Sequence, residues 1–427
     1  MTLYELEENA LPPPRFPEPQ FSSAHVTREP GVGFLLVSHL SGRQFFCAEG
    51  TPCVQTQFSG SVRRCYEARS TASKGRGLQG NRVGLVRREE EGAQEEEEEE
   101  EEEASSLVTF AGQAYRYWPS RVMALKTCCI ASLKLEGVYQ GCDIGELSGE
   151  DPVKEMAALQ LLQSHDNVEE LEEAMADGST LYKVTPWYEG GELFDLAPMP
   201  EHSAKTVFAQ LLDALDFIHS RGVCHRDISL ENVLMDTRMP ERGSASRSSS
   251  VSSIGSCVSV ASSSGFSEAG FDARSESEIQ PRKATDSEQW IGRPRLCDFG
   301  MSVRIPNSRT TGKMAPVTPQ GRCGKNTCVA PEVFYDQAFD AQAVDLWSLG
   351  TTLFMALLGV QPWEEVGDYK FQAIAEGKNL EVVLEGWKLR DAISQDAVDL
   401  LQAMLTADPE ERLSDIKSIL AHPWFRQ

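Results

Sequence analysis

The chain has 427 residues, 41% of them hydrophobic, which is enough for one large domain or two ordinary ones with a sizeable core. Its formal net charge of -25 argues against nucleic acid or an anionic membrane surface as a partner. No run of about 18 apolar residues stands out as a membrane span, and the 11 scattered cysteines form no CxxC pair, which suits reduced thiols in an intracellular, cytoplasmic or nuclear, setting.

Residues 1–31 are rich in Pro and Glu and read as a disordered leader. They lack the basic and apolar regions of a secretory signal, and Met1 is not followed by Gly, as myristoylation would need. Residues 32–52 are apolar enough to add a strand or two. Residues 72–117 carry the runs Glu89–Glu91 and Glu95–Glu103. Consecutive like charges repel and bury nothing, so this stretch is expected to be a disordered insertion. Val122–Cys129 reads as a buried strand. Asp151–Gln163 has helical spacing, with Asp151 as a cap and Pro152 in the first turn. Leu181–Tyr188 reads as another strand, and Ala204–Ser220 as an amphipathic helix. Residues 237–291 are Ser-rich and form a second low-complexity insertion. Beyond them the pattern is helical, over Ala343–Leu358, Ser394–Leu405 and Ser414–Leu420. Strands with one helix, followed mainly by helices, predict an α+β chain of two lobes. The N-lobe is small and β-rich with one key helix; the C-lobe is larger and α-helical.

Three motifs in this order carry chemistry. His225-Arg226-Asp227-Ile228-Ser229-Leu230-Glu231-Asn232 resembles a protein-kinase catalytic loop. Asp298-Phe299-Gly300 resembles the metal-binding triplet that follows it, and Ala330-Pro331-Glu332 the end of the activation segment. The resemblance covers residues 53–425, with an N-lobe at 53–185, a hinge at 186–188 and a C-lobe at 189–425. It implies a bilobal kinase fold using ATP and Mg2+ to phosphorylate protein Ser or Thr hydroxyls.

Phosphoryl transfer needs an aligned nucleophile and neutralised phosphate charge. By resemblance, Asp227 is the catalytic base. Asn232 and Asp298 are the metal ligands, since a hard cation wants oxygen. Lys126 holds the nucleotide phosphates and Glu155 is its partner. Gly60 and Val62 fall in the second half of a glycine-rich loop whose two earlier glycine positions hold Gln55 and Gln57. Val62 and Ala124 would cover the base from above and Leu234 from below. Thr185 would stand at the back of the pocket, and Pro186, Trp187 and Tyr188 would form the hinge. Glu192 sits where the family contacts ribose or a basic substrate residue. Leu159, Leu171, His225 and Phe299 match a stacked apolar spine, which makes His225 structural. Asp345 would anchor the catalytic loop. Glu332 and Arg412 match a buried ion pair, and losing one partner would cost about 3–5 kcal/mol.

One departure stands inside the catalytic loop. The position two residues after the catalytic Asp usually carries Lys in Ser/Thr kinases, and here it is Ser229. Lys325 stands where the family commonly has a Thr facing that lysine. This predicts an exchange, with Ser229 supplying the hydroxyl and Lys325 the ammonium. Arg226 could bind an activation-segment phosphate, with Thr318, Ser308, Thr310 and Thr311 as acceptors. Glu192 and Glu231 suggest protein substrates with basic residues near the acceptor. The other readings are a pseudokinase or scaffold, suggested by the degenerate glycine loop and Ser229, and a dual-specificity or tyrosine kinase. Oligomeric state is not legible.

Overall fold

The computed structural model describes residue 7 and residues 9–56, 60–71, 105–135, 150–238, 292–308 and 313–426. The chain has mixed helix and strand content, as its element pattern predicts. Among the described residues nine strands precede Trp187: β1 (Ser22–Glu29), β2 (Gly33–Ser38), β3 (Gln44–Ala48), β4 (Cys53–Thr56), β5 (Gly60–Ser70), β6 (Ser106–Phe110), β7 (Gln113–Cys129), β8 (Glu173–Ala176) and β9 (Thr180–Pro186). Among them lie helices α1 (Ile130–Leu135) and α2 (Pro152–Leu161).

The strands form one sheet in the order β4-β5-β3-β2-β1-β8-β9-β7-β6, and a further β5–β7 pairing closes seven of them into a ring. Closure encloses a core and leaves only the short β4 and β6 as edges. Phe34, Leu36, Phe45, Cys47, Cys65, Leu125, Met175, Tyr182 and Val184 fill it. Leu125 and Val184 are directly opposed across β7 and β9. Side chains alternate along a strand, so their neighbours Ala124, Lys126, Lys183 and Thr185 face the other way, towards α2.

Two expectations about this part fail. Within the leader, residues 22–29 form β1, which pairs with β2 and touches β8 in parallel. Upstream of β1, the Leu11 N–H donates to Pro316 O at 2.9 Å, and the Thr318 N–H donates to Leu11 O at 3.0 Å. Gln20 exchanges two backbone hydrogen bonds with the Gln160 side chain on α2. Pro and Glu content hid the apolar residues that dock: Phe16 packs against the main core and Val26 against the barrel core. The 72–117 insertion also ends early. Residues 106–117 form β6 and the start of β7, because Phe110 and Trp118 are buried while the exposed residues between them are polar or turn-forming. Residues 72–104 and 239–291, the bulk of both proposed insertions, lie outside the described residues.

After Trp187 the chain is mainly helical, with α3 (Glu201–Ser220), α4 (Pro331–Phe334) and α5 (Ala341–Leu358), then helices at Leu380–Gly386, Gln395–Met404 and Ile416–Leu420. Two short antiparallel ladders remain, β10 (Val223–Cys224) with β13 (Val303–Arg304), and β11 (Val233–Asp236) with β12 (Arg293–Leu296). Asp340 caps α5 by accepting from the Gln342 and Ala343 N–H groups, and Gly359 ends it at φ 68°. This helix is long and apolar enough to cross a membrane by composition, yet 94% of it is buried inside the protein. It is the central core helix, enclosed by α3 and Gln395–Met404.

Candidate active site

The catalytic-loop motif lies between β10 and β11 and is held from below by Asp345 on α5. This fully buried carboxylate accepts from the His225 N–H (2.9 Å), the Arg226 N–H (2.8 Å) and His219 Nε2 (2.8 Å). Burial would raise its pKa, but the His219 bond and charge outweigh that and hold it low. The grip fixes Arg226 in the left-handed region, at φ 66°. Such a backbone costs about 1–3 kcal/mol, which bonds to a charged acceptor can offset. Both His225 ring nitrogens are engaged, Nε2 donating to Cys297 O at 3.0 Å and Nδ1 accepting from the Asp227 N–H at 3.3 Å. Its ring packs on Phe299 at 4.7 Å. His225 therefore joins the core with Leu159 and Phe299, against which Leu171 packs.

Asp227 is thereby presented to Asn232, whose Nδ2 donates to Asp227 O (2.8 Å) and Oδ2 (2.9 Å). The other oxygen, Asp227 Oδ1, is buried without a hydrogen-bond partner. Burial raises the Asp227 pKa, with Lys325 and His225 opposing. An orphaned carboxylate oxygen in such a place is a ready proton acceptor. Gly324, at φ 83°, lies against it. A Cβ there would stand 2.8 Å from Arg226 O and 3.3 Å from Asp227 Oδ1. A side chain at 324 would crowd the acceptor, which is a physical reason for glycine.

Lys325 follows Gly324 and turns back to the catalytic loop. Its Nζ donates to Ser229 Oγ at 3.0 Å and pairs with Glu231 Oε2 at 2.7 Å. The structure thus brings Lys325 to Ser229, beside Asp227. It also gives Glu231 a counter-charge.

Asp298 follows β12 and sits at φ 61°, ψ 74°, with its side chain accepting from the Gly300 N–H. The Cys297 N–H donates to Asn232 O at 3.0 Å, so Asn232 and Asp298 are joined through one backbone bond. Carboxylate oxygens of Glu150, Glu155 and Asp298 lie within 4.8 Å of one another. Three acids this close need cationic charge nearby. Lys126 supplies part of it, donating to Glu155 Oε2 at 2.9 Å and to Glu150 Oε1 at 2.6 Å. Burial would lower the Lys126 pKa, but Glu155, Asp298 and Glu150 raise it well above its ordinary value. Asp151 caps α2 by accepting from the Val153 and Lys154 N–H groups, which fixes where Glu155 enters.

The base-pocket candidates converge more loosely. Val62 opposes Lys126 across β5 and β7, and Ala124 opposes Thr185 across β7 and β9. Gly60 pairs with Thr56 at the end of the β4–β5 hairpin, whose tip lies outside the described residues. Pro186 ends β9. Tyr188 turns its ring inward, where its hydroxyl accepts from the Glu170 N–H and Arg238 and Arg295 lie over its face. Glu192 bridges to Leu234 on β11. Burial, then Asp195 and Glu231, push its pKa up to about 7 against the pull of Lys325.

Four charged residues here had no sequence signal. Glu150 reaches Lys126, and Lys183 and Glu169 extend the ion-pair chain beyond Glu155. Lys154 on α2 is buried and faces Arg226 electrostatically, while Arg226 Nη1 is a buried donor without a partner. Each depends on packing between distant segments.

The protein kinase domain family model matches residues 122–252 and 285–425, more than half of the chain. Curated relatives include CBL-interacting protein kinase 21 of Oryza sativa subsp. japonica, 29% identical over 279 residues, covering 64% of this chain and 40% of that protein. CBL-interacting serine/threonine-protein kinase 16 of Arabidopsis thaliana is 29% identical over 282 residues, covering 64% of this chain and 46% of the relative. The chain spans about half the length of the curated relatives it matches or less.

Proposed function

The chain belongs to the protein kinase family, and from that premise we propose that it transfers the γ-phosphate of ATP to Ser or Thr hydroxyls of proteins. The observation that supports this most is Asp227 Oδ1, a buried acceptor without a partner beside Asn232 and Gly324. In this reading the fold is bilobal. The barrel with α2 is the small lobe, residues 186–188 are the hinge, and the helical remainder to residue 425 is the large lobe. The cleft between them takes ATP against Val62, Ala124, Thr185 and Leu234, with Pro186 and Tyr188 on the hinge.

Asp227 Oδ1 accepts the substrate hydroxyl proton and orients the oxygen for attack. Lys126, steadied by Glu155, binds the nucleotide phosphates. Asn232 and Asp298 would hold Mg2+, whose chemistry is to neutralise charge on the phosphate oxygens. The acid cluster around Asp298 has the oxygen donors that a hard cation requires. Lys325, bonded to Ser229, supplies the ammonium that stabilises the transferring group. Intracellular, cytoplasmic location fits a use of ATP and the lack of a disulfide among the nine described cysteines.

A second reading, weak nucleotide binding in a scaffold, draws on Glu150, whose carboxylate occupies Lys126. Transfer of labelled phosphate from ATP to mixed Ser, Thr and Tyr peptides with magnesium separates the two. Ser and Thr labelling is expected. Label on Tyr alone, or none, would refute the proposal.

A further inference from the structure

We propose that Lys183 is a second positioning lysine of the phosphoryl-transfer site, which with Glu169 ties helix α2 and its Glu155 to the segment carrying Asn232 and Asp298. The proposal rests on the kinase reading above.

Lys126 and Lys183 are directly opposed on antiparallel β7 and β9. Like charges in that register repel, and both side chains are largely buried, with 12% and 6% exposed. What makes the pair tolerable is an alternating chain of charge. Glu155 gives Oε2 to Lys126 at 2.9 Å and Oε1 to Lys183 at 2.5 Å, and Lys183 reaches on to Glu169 Oε2 at 3.0 Å. Burial opposes ionisation of Glu155, yet Lys126 and Lys183 hold its carboxyl down to about 2. Two lysines thus stand among three carboxylates, Glu150, Glu155 and Glu169, and each carboxylate is met by a lysine.

The far end of the chain is anchored to the reacting centre. The Glu169 N–H donates to Leu296 O, and the Leu296 N–H donates to Asn167 O, both at 2.9 Å. Asn167 Nδ2 also donates to Pro294 O. These bonds fasten residues 167–169 to β12, which leads directly into Cys297 and Asp298, and Cys297 is bonded to Asn232. Lys183 therefore joins α2 on one side to the backbone of both metal-ligand candidates on the other.

Lys126 is a poor sole support for α2. It already divides its donors between Glu155 and Glu150, and in turnover it must also serve phosphate. Lys183 has two protein carboxylates as acceptors and no such second task. It keeps Glu155 Oε1 fixed while Lys126 exchanges partners, so that Oε2 stays aimed at Lys126.

The test compares Lys183→Met, Lys183→Arg and Lys183→Met/Glu169→Leu with the unaltered full chain and Asp227→Asn, reading thermal midpoint, kcat and ATP KM. Lys183→Met leaves Glu169 buried and unpaired, so its midpoint falls along with kcat. The double variant removes that orphan and recovers the midpoint, but its kcat stays at least about tenfold low, because misplacement of this order costs up to about 10²-fold. Its ATP KM stays within about threefold, and Lys183→Arg retains most of kcat. Should Lys183→Met fail to fold, the double variant carries the test. Full kcat in the double variant overturns the proposal, since Lys183 would then only neutralise Glu169. Transfer by the unaltered chain no faster than by Asp227→Asn would instead refute the kinase reading.

Discussion

Replacing Lys325 by Ala separates catalysis from stability. Lys325 is 41% exposed at its side chain and pairs with Glu231, itself 36% exposed. Ion pairs as exposed as this are worth about 0–1 kcal/mol. Ser229 is fully buried and would lose the ammonium at 3.0 Å. A buried hydroxyl left without its partner costs about 1–3 kcal/mol. The combined loss, about 1–4 kcal/mol, corresponds to a midpoint drop of roughly 2–16 °C in a domain of this size. The kinetic loss should be larger. A cation placed beside the transferring group is typically worth about 10²–10³-fold in kcat. The assay is labelled phosphate transfer at saturating ATP and peptide, with circular dichroism melts of both proteins. Expected is a kcat loss of at least about 30-fold at a temperature where both proteins are folded. An unchanged kcat would refute the exchange between Ser229 and Lys325, and would leave Lys325 as a surface lysine paired with Glu231.

Glu150→Ala should lower ATP KM, because phosphate no longer competes with a carboxylate for Lys126. One such charge-assisted bond is worth at most about 1.5–3 kcal/mol net, a ceiling of roughly 10–150-fold, so a fall of at least about threefold is expected by steady-state titration. Glu192 titrates near pH 7, with its folded pKa raised above the ordinary carboxylate value. It is neutral below that pH and charged above it, so selection for an Arg-containing over an Ala-containing peptide should grow from pH 6 to pH 8. In Glu192→Gln the ratio of kcat/KM values should stay flat. Leu11→Pro removes the N–H that bonds Pro316 O. Hydrogen exchange at Thr318, whose N–H donates to Leu11 O, should rise, while exchange in α5 stays unchanged.

The chemistry was legible where it is written contiguously. Asp227, Asn232, Asp298 and the Ala330–Glu332 triplet sit in short motifs, and Lys126 and Glu155 stand on a strand and on a helix after it, α2, with α1 between them. Asp345 and the Glu332–Arg412 pair could also be named from sequence, and the structure closes that pair with two bonds at 2.7 and 3.0 Å. What was not legible depends on register and closure. Lys183 reads as one polar residue in an apolar strand until β7 and β9 set it opposite Lys126. Glu169 has meaning only through its backbone bond to β12. Residues 22–29 resemble a linker by composition, yet they pair along the adjacent β2 and reach β8, some 150 residues away, at two positions. Local pattern carries propensity, whereas a barrel closed by long-range pairing carries its information in contacts.

The central claim is that Asp227 accepts the hydroxyl proton during phosphoryl transfer. Single-turnover transfer from labelled ATP, measured side by side for the unaltered chain and Asp227→Asn, tests it most directly. Asparagine keeps the shape and the bonds to Asn232 but cannot take the proton, and a positioned base is worth about 10²–10⁴-fold. The account predicts a rate loss in that range with ATP affinity retained. Equal rates from the two proteins would contradict it.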